Sequence, residues 1–240
     1  MRRGERGEPR RRHSNAVAGR LTDAARAVKK KLTPVKTSLP PPAPMLSLTV
    51  FVAATPIPTG GYDGYWSPPS TPEKVNLELF ADLLCDDCKA AWPTMTAVRS
   101  HYNSSMAFGL HVFPLPYHRN AFYAAQAARA LKALTQSDAA VWKWADQLYG
   151  DAEPNQNAFL NDATANMTGD AVIAAFASLA TRVAGTSAVD FVPKMQWGTK
   201  EDGAARASWK YGASRGVTGT PTFLLNGVVA DATPSWTLDD

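Results

Sequence analysis

Residues 77–93 read LELFADLLCDDCKAAWP. An apolar run rich in Leu and Phe stops at Cys85, two carboxylates separate it from Cys88, and Lys89-Ala90-Ala91-Trp92-Pro93 opens a helix. The order is strand, C-x-x-C, helix. A cysteine at a helix N-terminus meets unpaired backbone N–H groups and the positive end of the dipole, and both favour its thiolate. The thiolate is the species that attacks disulfides. The spacing puts the two sulfurs within bridging reach across one helical turn, so the pair can cycle between dithiol and disulfide with little backbone movement. A zinc site would need two more soft ligands, but Cys85 and Cys88 are the only cysteines, and His13, His101, His111 and His118 have no finger spacing. No metal is expected. A purely structural bridge stays open, although closing so short a loop restricts the unfolded chain little. The residues favour redox chemistry.

The 240 residues suit one domain, or one domain carrying an inserted one, and a hydrophobic content of 45% allows a full core. The formal charge of +4 hides an asymmetry: residues 1–44 hold 12 Lys and Arg against 3 Asp and Glu, leaving 13 against 18 for the rest. A nucleic-acid partner would rest on that tail alone and is not expected. The tail is either an organelle presequence, with Val17, Leu21, Val28 and Leu32 near helical spacing among basic residues, or a solvated extension. Residues 45–54, MLSLTVFVAA, are too few to span a bilayer and read equally as a secretory h-region or an edge strand. The sequons at Asn103 and Asn166 fit a secretory or extracellular location, the organelle being the alternative.

Residues 56–72 are rich in Pro, Gly and Ser and read as a lead-in without regular structure, anchored by Tyr62, Tyr65 and Trp66. Residues 75–84 form a central strand, residues 86–102 a helix, and residues 106–112 a second strand, which implies a right-handed parallel crossover. From Asn120 the pattern turns helical: AFYAAQAARALKAL, then residues 142–149, 171–183 and 188–210, the last with a break near Gly198. Strand character returns at Pro221-Thr-Phe-Leu-Leu, followed by Asn226-Gly227, a type I′ hairpin signal, and Val228-Val229-Ala230. An all-helical block lies between two halves of a sheet.

From residue 75 to the end the chain resembles the DsbA-like branch of the thioredoxin superfamily. The strand, Cys85-Asp86-Asp87-Cys88, helix unit has Pro93 five residues after its second cysteine, where thioredoxins carry a kinking proline. Phe113-Pro114-Leu115 with His118 is similar to the point after which the family inserts its helical domain, and the insertion itself follows. Gly216-Val-Thr-Gly-Thr-Pro-Thr-Phe223 matches the loop whose proline is cis and lies beside the active-site cysteines. The resemblance implies an α/β thioredoxin-like fold with a helical insertion. Its parts are 1–44 basic, disordered or targeting; 45–72 apolar stretch and lead-in; 73–119 first thioredoxin-like part; 120–210 insertion; and 211–240 second part.

It implies, further, a thiol-disulfide oxidoreductase in which Cys85 attacks, Cys88 resolves, and the main chain of Thr220, before Pro221, pairs with an extended substrate. The partners would be protein thiols or disulfides and a recycling partner or glutathione, with no cofactor. A redox-inactive peptide-binding module and a glutathione-dependent relative are the alternatives. Well-known DsbA proteins carry Pro-His between the cysteines; here Asp86 and Asp87 are expected to raise the Cys85 pKa relative to theirs, with Lys89 opposing. The buried acid expected six residues before the first cysteine is replaced by Leu79, and Glu78 and Asp82 are out of phase, so the proton role is unassigned. His111 and His118 are candidates for the site's surroundings. Ser235 to Asp240 reads as a helix N-cap and first turn, so the family's last helix is expected to be missing, through a fragment, a truncated gene or a partner covering that face.

Overall fold

The computed structural model describes residues 63–67 and 75–239; the segments 1–44 and 45–54 and Tyr62 lie outside them. Five strands form one sheet in the order β1-β3-β2-β4-β5. At its centre β2 (Val75–Ala81) runs parallel to β3 (Met106–Val112), joined by helix α1 (Asp86–His101). On the other side β2 pairs antiparallel with β4 (Thr222–Leu225), and β5 (Val228–Ala230) closes the edge through a hairpin. Asn226 and Gly227 both take positive φ, 51° and 79°, as a type I′ turn requires. Strand β2 ends three residues earlier than its apolar run, because Asp82 Oδ1 takes the Leu84 N–H at 2.8 Å and turns the chain.

The expected lead-in contains a strand. Tyr65–Ser67 is β1, antiparallel to β3 at the sheet edge. Its signal is tertiary: the Tyr65 ring is buried beneath the Arg129 guanidinium, 5.0 Å away, and Trp142 Nε1 donates to Tyr65 O at 3.2 Å.

The insertion comprises α2 (Ala121–Thr135), α3 (Asp138–Tyr149), a 3-10 turn (Gln156–Phe159), α4 (Gly169–Ala184), α5 (Ala188–Lys194) and α6 (Lys200–Ser214). Helix α2 packs against all four other helices. Its buried Ala124, Ala125, Ala127, Ala128 and Ala130 carry no bulk to keep neighbours away. Trp144, Phe159 and Phe176 fill the centre, the two Phe rings stacked at 4.0 Å. The break expected near Gly198 falls between α5 and α6, where Gly198 has φ +79° and Thr199 caps α6 by accepting from Asp202 N. Among the described residues no helix is long and apolar enough to cross a membrane.

Helix α6 also packs on β3 and so ties the insertion to the sheet. The approach is close at Gly212, where a Cβ would meet Phe113 Cδ2 at 2.6 Å. Gly212→Ala is therefore expected to destabilise the protein by about 1–3 kcal/mol through overpacking, as read in urea unfolding, despite alanine's better helix propensity.

The expected start of a helix at Ser235 is not formed; residues 234–235 and 238–239 make turns instead. The Ser235 hydroxyl is engaged with Thr233 Oγ1 at 2.8 Å instead of capping, and Thr237 Oγ1 accepts from Asp239 N. Thr94 Oγ1 donates to Trp236 O at 2.6 Å, and Trp236 and Leu238 border an apolar cavity of about 290 Å³ against Leu77, Met95 and Phe223.

Candidate active site

Cys85 is the N-cap of α1, with extended backbone (φ −91°, ψ 127°), and Cys88 lies one turn on. Both are free thiols. Both are buried, Cys88 the more completely, at 1% exposed against 5%. The loop before β4 comes to them from 135 residues away: Cys85 Sγ–H donates to Thr220 O at 3.5 Å, the Thr220–Pro221 bond is cis, and Thr222 Oγ1 closes the loop onto Gly219 O at 2.8 Å.

The two thiols differ in acidity. Cys85 is pulled down to about 6, chiefly by the hydrogen bond from the Cys88 thiol and, against burial, by the Thr220 side chain and the backbone N–H groups of Cys88 and Asp87. Burial and the neighbouring Cys85 push Cys88 well above the ordinary thiol range. The carboxylates of Asp86 and Asp87, expected to oppose the thiolate, belong to exposed residues and do not figure among the main influences on Cys85. The Asp86 carboxylate is occupied by Gln156 Nε2 at 2.9 Å, and Asp87 contributes its N–H. Lys89 is absent from those influences too; it lines a groove with Trp92, Tyr149 and Gly150.

Asp82, set aside in the sequence as out of phase, is fully buried at this end of the sheet. Its carboxylate accepts from Leu84 N and Leu115 N, each at 2.8 Å, and lies 2.8 Å from His118 Nδ1. Burial nevertheless raises its pKa. The His118 side chain is 22% exposed, so the pair joins a buried acid to solvent. Tyr149, from the end of α3, donates to Asp82 O at 2.8 Å, and its hydroxyl is pushed well above its usual range chiefly by burial. Sequence signals missed three participants. For Asp82 the signal is an acid interrupting an apolar run; for Tyr149 and Gln156 there is none.

His111 is committed elsewhere. It is buried and stacked on Phe80 at 4.4 Å, with Nε2 3.0 Å from Glu78 Oε2 and Nδ1 3.5 Å from Asp63 Oδ2, ionic contacts that are not aligned as hydrogen bonds. Asp63 also binds Arg129 at 2.6 Å and Ser208 at 2.7 Å. Burial raises the Asp63 pKa, but His111, Arg129 and Ser208 together hold it well below the carboxylate range. Burial likewise lowers that of His111, and the two carboxylates outweigh it. The Asp63 contribution is thus present above its unfolded value, about 3.9, and lost as pH falls toward its folded one. The His111 contribution is present below about 6.5 and lost as pH rises through its raised folded pKa. Asp63→Asn is expected to cost about 1–3 kcal/mol at pH 6–7, a deficit that shrinks in urea melts below about pH 4.

A central parallel pair, a C-x-x-C at the following helix N-terminus and a proline loop against its first sulfur define a thioredoxin-fold protein carrying a helical insertion. A sequence model of the thioredoxin family matches residues 70–238, and the chain belongs to that family. In fold it is DsbA-like. MdbA, a thiol-disulfide oxidoreductase from Corynebacterium diphtheriae, superposes with a TM-score of 0.51 at 18% identity, covering 68% of this chain and 80% of its own. Reduced DsbG, a disulfide bond oxidoreductase from Mycobacterium tuberculosis, gives 0.53 at 16%, covering 73% and 83%. Wolbachia pipientis α-DsbA1 gives 0.52 at 11%, covering 68% and 75%. No curated protein matches the sequence.

Proposed function

We propose that the protein is a thiol-disulfide oxidoreductase that exchanges disulfides with protein substrates through Cys85 and Cys88. The observation that carries this reading is the placement of the pair, Cys85 at the helix N-cap against the proline loop and Cys88 buried more deeply one turn on, which draws the first thiol's pKa down and pushes the second's up. In the reducing direction the Cys85 thiolate attacks one sulfur of a substrate disulfide. A Cys85–substrate disulfide forms, and the other substrate sulfur leaves as a thiolate that takes up a proton. Cys88 then loses its proton and attacks Cys85 Sγ, releasing the second substrate thiol. The protein ends as the Cys85–Cys88 disulfide and the substrate has gained two electrons and two protons; the oxidising direction is the reverse.

Ionisation of Cys85 frees Thr220 O, which then accepts an N–H from an extended substrate segment. Cys88 lies against the Asp82 backbone and the Tyr149 hydroxyl. Asp82 takes the proton that Cys88 must lose, and His118 carries it to solvent. Net direction follows the compartment, oxidising surroundings making the pair an oxidase or isomerase and reducing ones a reductase, with a recycling thiol partner or glutathione.

The test is a titration of the purified protein in glutathione buffers, following alkylation of both cysteines. A Cys85 pKa near 6 lies between the values of about 3.5 for DsbA and about 7 for thioredoxin. A reversible two-electron midpoint between about −120 and −270 mV is therefore expected. A pair that stays oxidised below about −300 mV, as structural disulfides do, overturns the reading in favour of a static peptide-binding module. In the reduced protein, alkylation of Cys85 is expected to rise with pH around a midpoint of about 6 and then level off.

A further inference from the structure

The insertion reaches the first residue after Cys85 through the Gln156–Asp86 side-chain pair. Gln156 opens the 3-10 turn, is fully buried, and donates from Nε2 to Asp86 Oδ1 at 2.9 Å. The backbone on either side of it is held from several directions. Asn155 Oδ1 accepts from Asn157 N at 2.9 Å, Gln147 Nε2 donates to Pro154 O at 3.1 Å, and Asn120 Nδ2 donates to Phe159 O at 2.9 Å. The other end of the amide, Oε1, is buried without a hydrogen-bond partner. Leaving a buried amide oxygen unpaired is costly, and turning the amide over would set that oxygen against a carboxylate. Asp86 therefore dictates the orientation of Gln156.

Asp86 directly follows Cys85, and a carboxylate free to approach that sulfur would oppose its thiolate. We propose that Gln156 is a positioning residue: it anchors the Asp86 carboxylate to the insertion, so that the charge beside Cys85 is hydrogen-bonded and held instead of free to face the sulfur. The inference deepens the redox reading and rests on it for its consequence, a nucleophile that stays charged near neutral pH. The absence of Asp86 from the main influences on Cys85 agrees with it. Asp87 and Lys89 on α1, Asp82, Cys88, Tyr149 from α3 and His118 from the β3–α2 connection are the other ionisable groups around the motif, and all stay in place in the variants below.

The experiment titrates the ultraviolet thiolate absorbance of the reduced full-length protein as the parent, Gln156→Leu, Asp86→Asn and the double variant. Gln156→Leu is expected to lower the thiolate-to-thiol ratio of Cys85 at fixed pH by about threefold to tenfold. Asp86→Asn alone is expected to change it by less than about twofold, and to restore the parent ratio when added to Gln156→Leu. An unchanged ratio in folded Gln156→Leu overturns the inference, as does a drop that persists in the double variant. A several-fold rise in Asp86→Asn alone does the same, because the carboxylate would then act on the sulfur in spite of Gln156. Should Gln156→Leu not fold, the Asp86→Asn arm decides. A parent whose cysteines do not cycle in glutathione buffers overturns the redox reading instead, while the acidity comparison still decides the positioning.

Discussion

Cys85→Ser is expected to abolish disulfide exchange, with a loss of roughly 10³-fold or more. The magnitude follows from the chemistry: a hydroxyl is essentially un-ionised near neutral pH, whereas the Cys85 thiol, at about 6, is mostly thiolate there. The fold should tolerate the change, since serine keeps the size of the side chain and can donate to Thr220 O, which lies 3.5 Å from Cys85 Sγ. Cys88→Ser is expected to behave differently. Cys85 still attacks, but no resolving thiol follows, so the Cys85–substrate disulfide accumulates and can be isolated on a non-reducing gel. Full turnover in Cys85→Ser would sink the proposed function. Failure to trap an adduct in Cys88→Ser would reassign the resolving role.

Much of the fold is legible in the sequence because its determinants are local. The stop of an apolar run at C-x-x-C, the Ala-rich helical block and the Asn226-Gly227 turn each act within a few residues, and the structure has the corresponding strand, helices and hairpin. The misses have tertiary causes. Tyr65–Ser67 sits among prolines and glycines and becomes a strand because β3 offers it an edge and Trp142 and Asp138 bind its backbone from the insertion. Ser235 has the composition of an N-cap, but its hydroxyl is taken by Thr233 and the Trp236 carbonyl by Thr94.

The same division holds in the candidate site. The nearness of Cys85, Cys88 and Thr220 is readable from two motifs whose family resemblance sets them side by side. Asp82 is not, because strand phase says only which face a side chain leaves from. The turn at Leu84 breaks that phase and folds the carboxylate back onto two backbone N–H groups. The Gln156–Asp86 and Tyr149–Asp82 contacts depend on how the insertion lies on α1, and no spacing in the chain encodes that.

Asp82 carries the second large effect, and stability and rate can be separated there. Asp82→Ala strips the acceptor from the buried Leu84 and Leu115 N–H groups at once, each worth about 1–3 kcal/mol, so a total loss of roughly 2–6 kcal/mol is expected in urea melts. Asp82→Asn should fall between this and the parent, because only one of its two terminal atoms can accept. Burial raises the Asp82 pKa in the folded protein. Its contribution to stability is therefore fully present below the unfolded value, about 3.9, and is lost as pH rises through the folded pKa. Once ionised, the carboxylate no longer makes that contribution, an arrangement that packing alone does not explain. It is suited to accept the proton of Cys88, whose own pKa is raised, and to pass it to the partly exposed His118. Stopped-flow measurement of substrate release from the Cys85 mixed disulfide should show Asp82→Asn slower by about 10²-fold, the lower end for a general base, while the initial attack by Cys85 changes little. In the parent the release rate should climb as pH passes the raised Asp82 pKa, and in Asp82→Asn that climb should vanish. Equal release rates and pH profiles in the two proteins would leave Asp82 a structural acceptor only, its carboxylate retained for Leu84 and Leu115 and for nothing in the exchange.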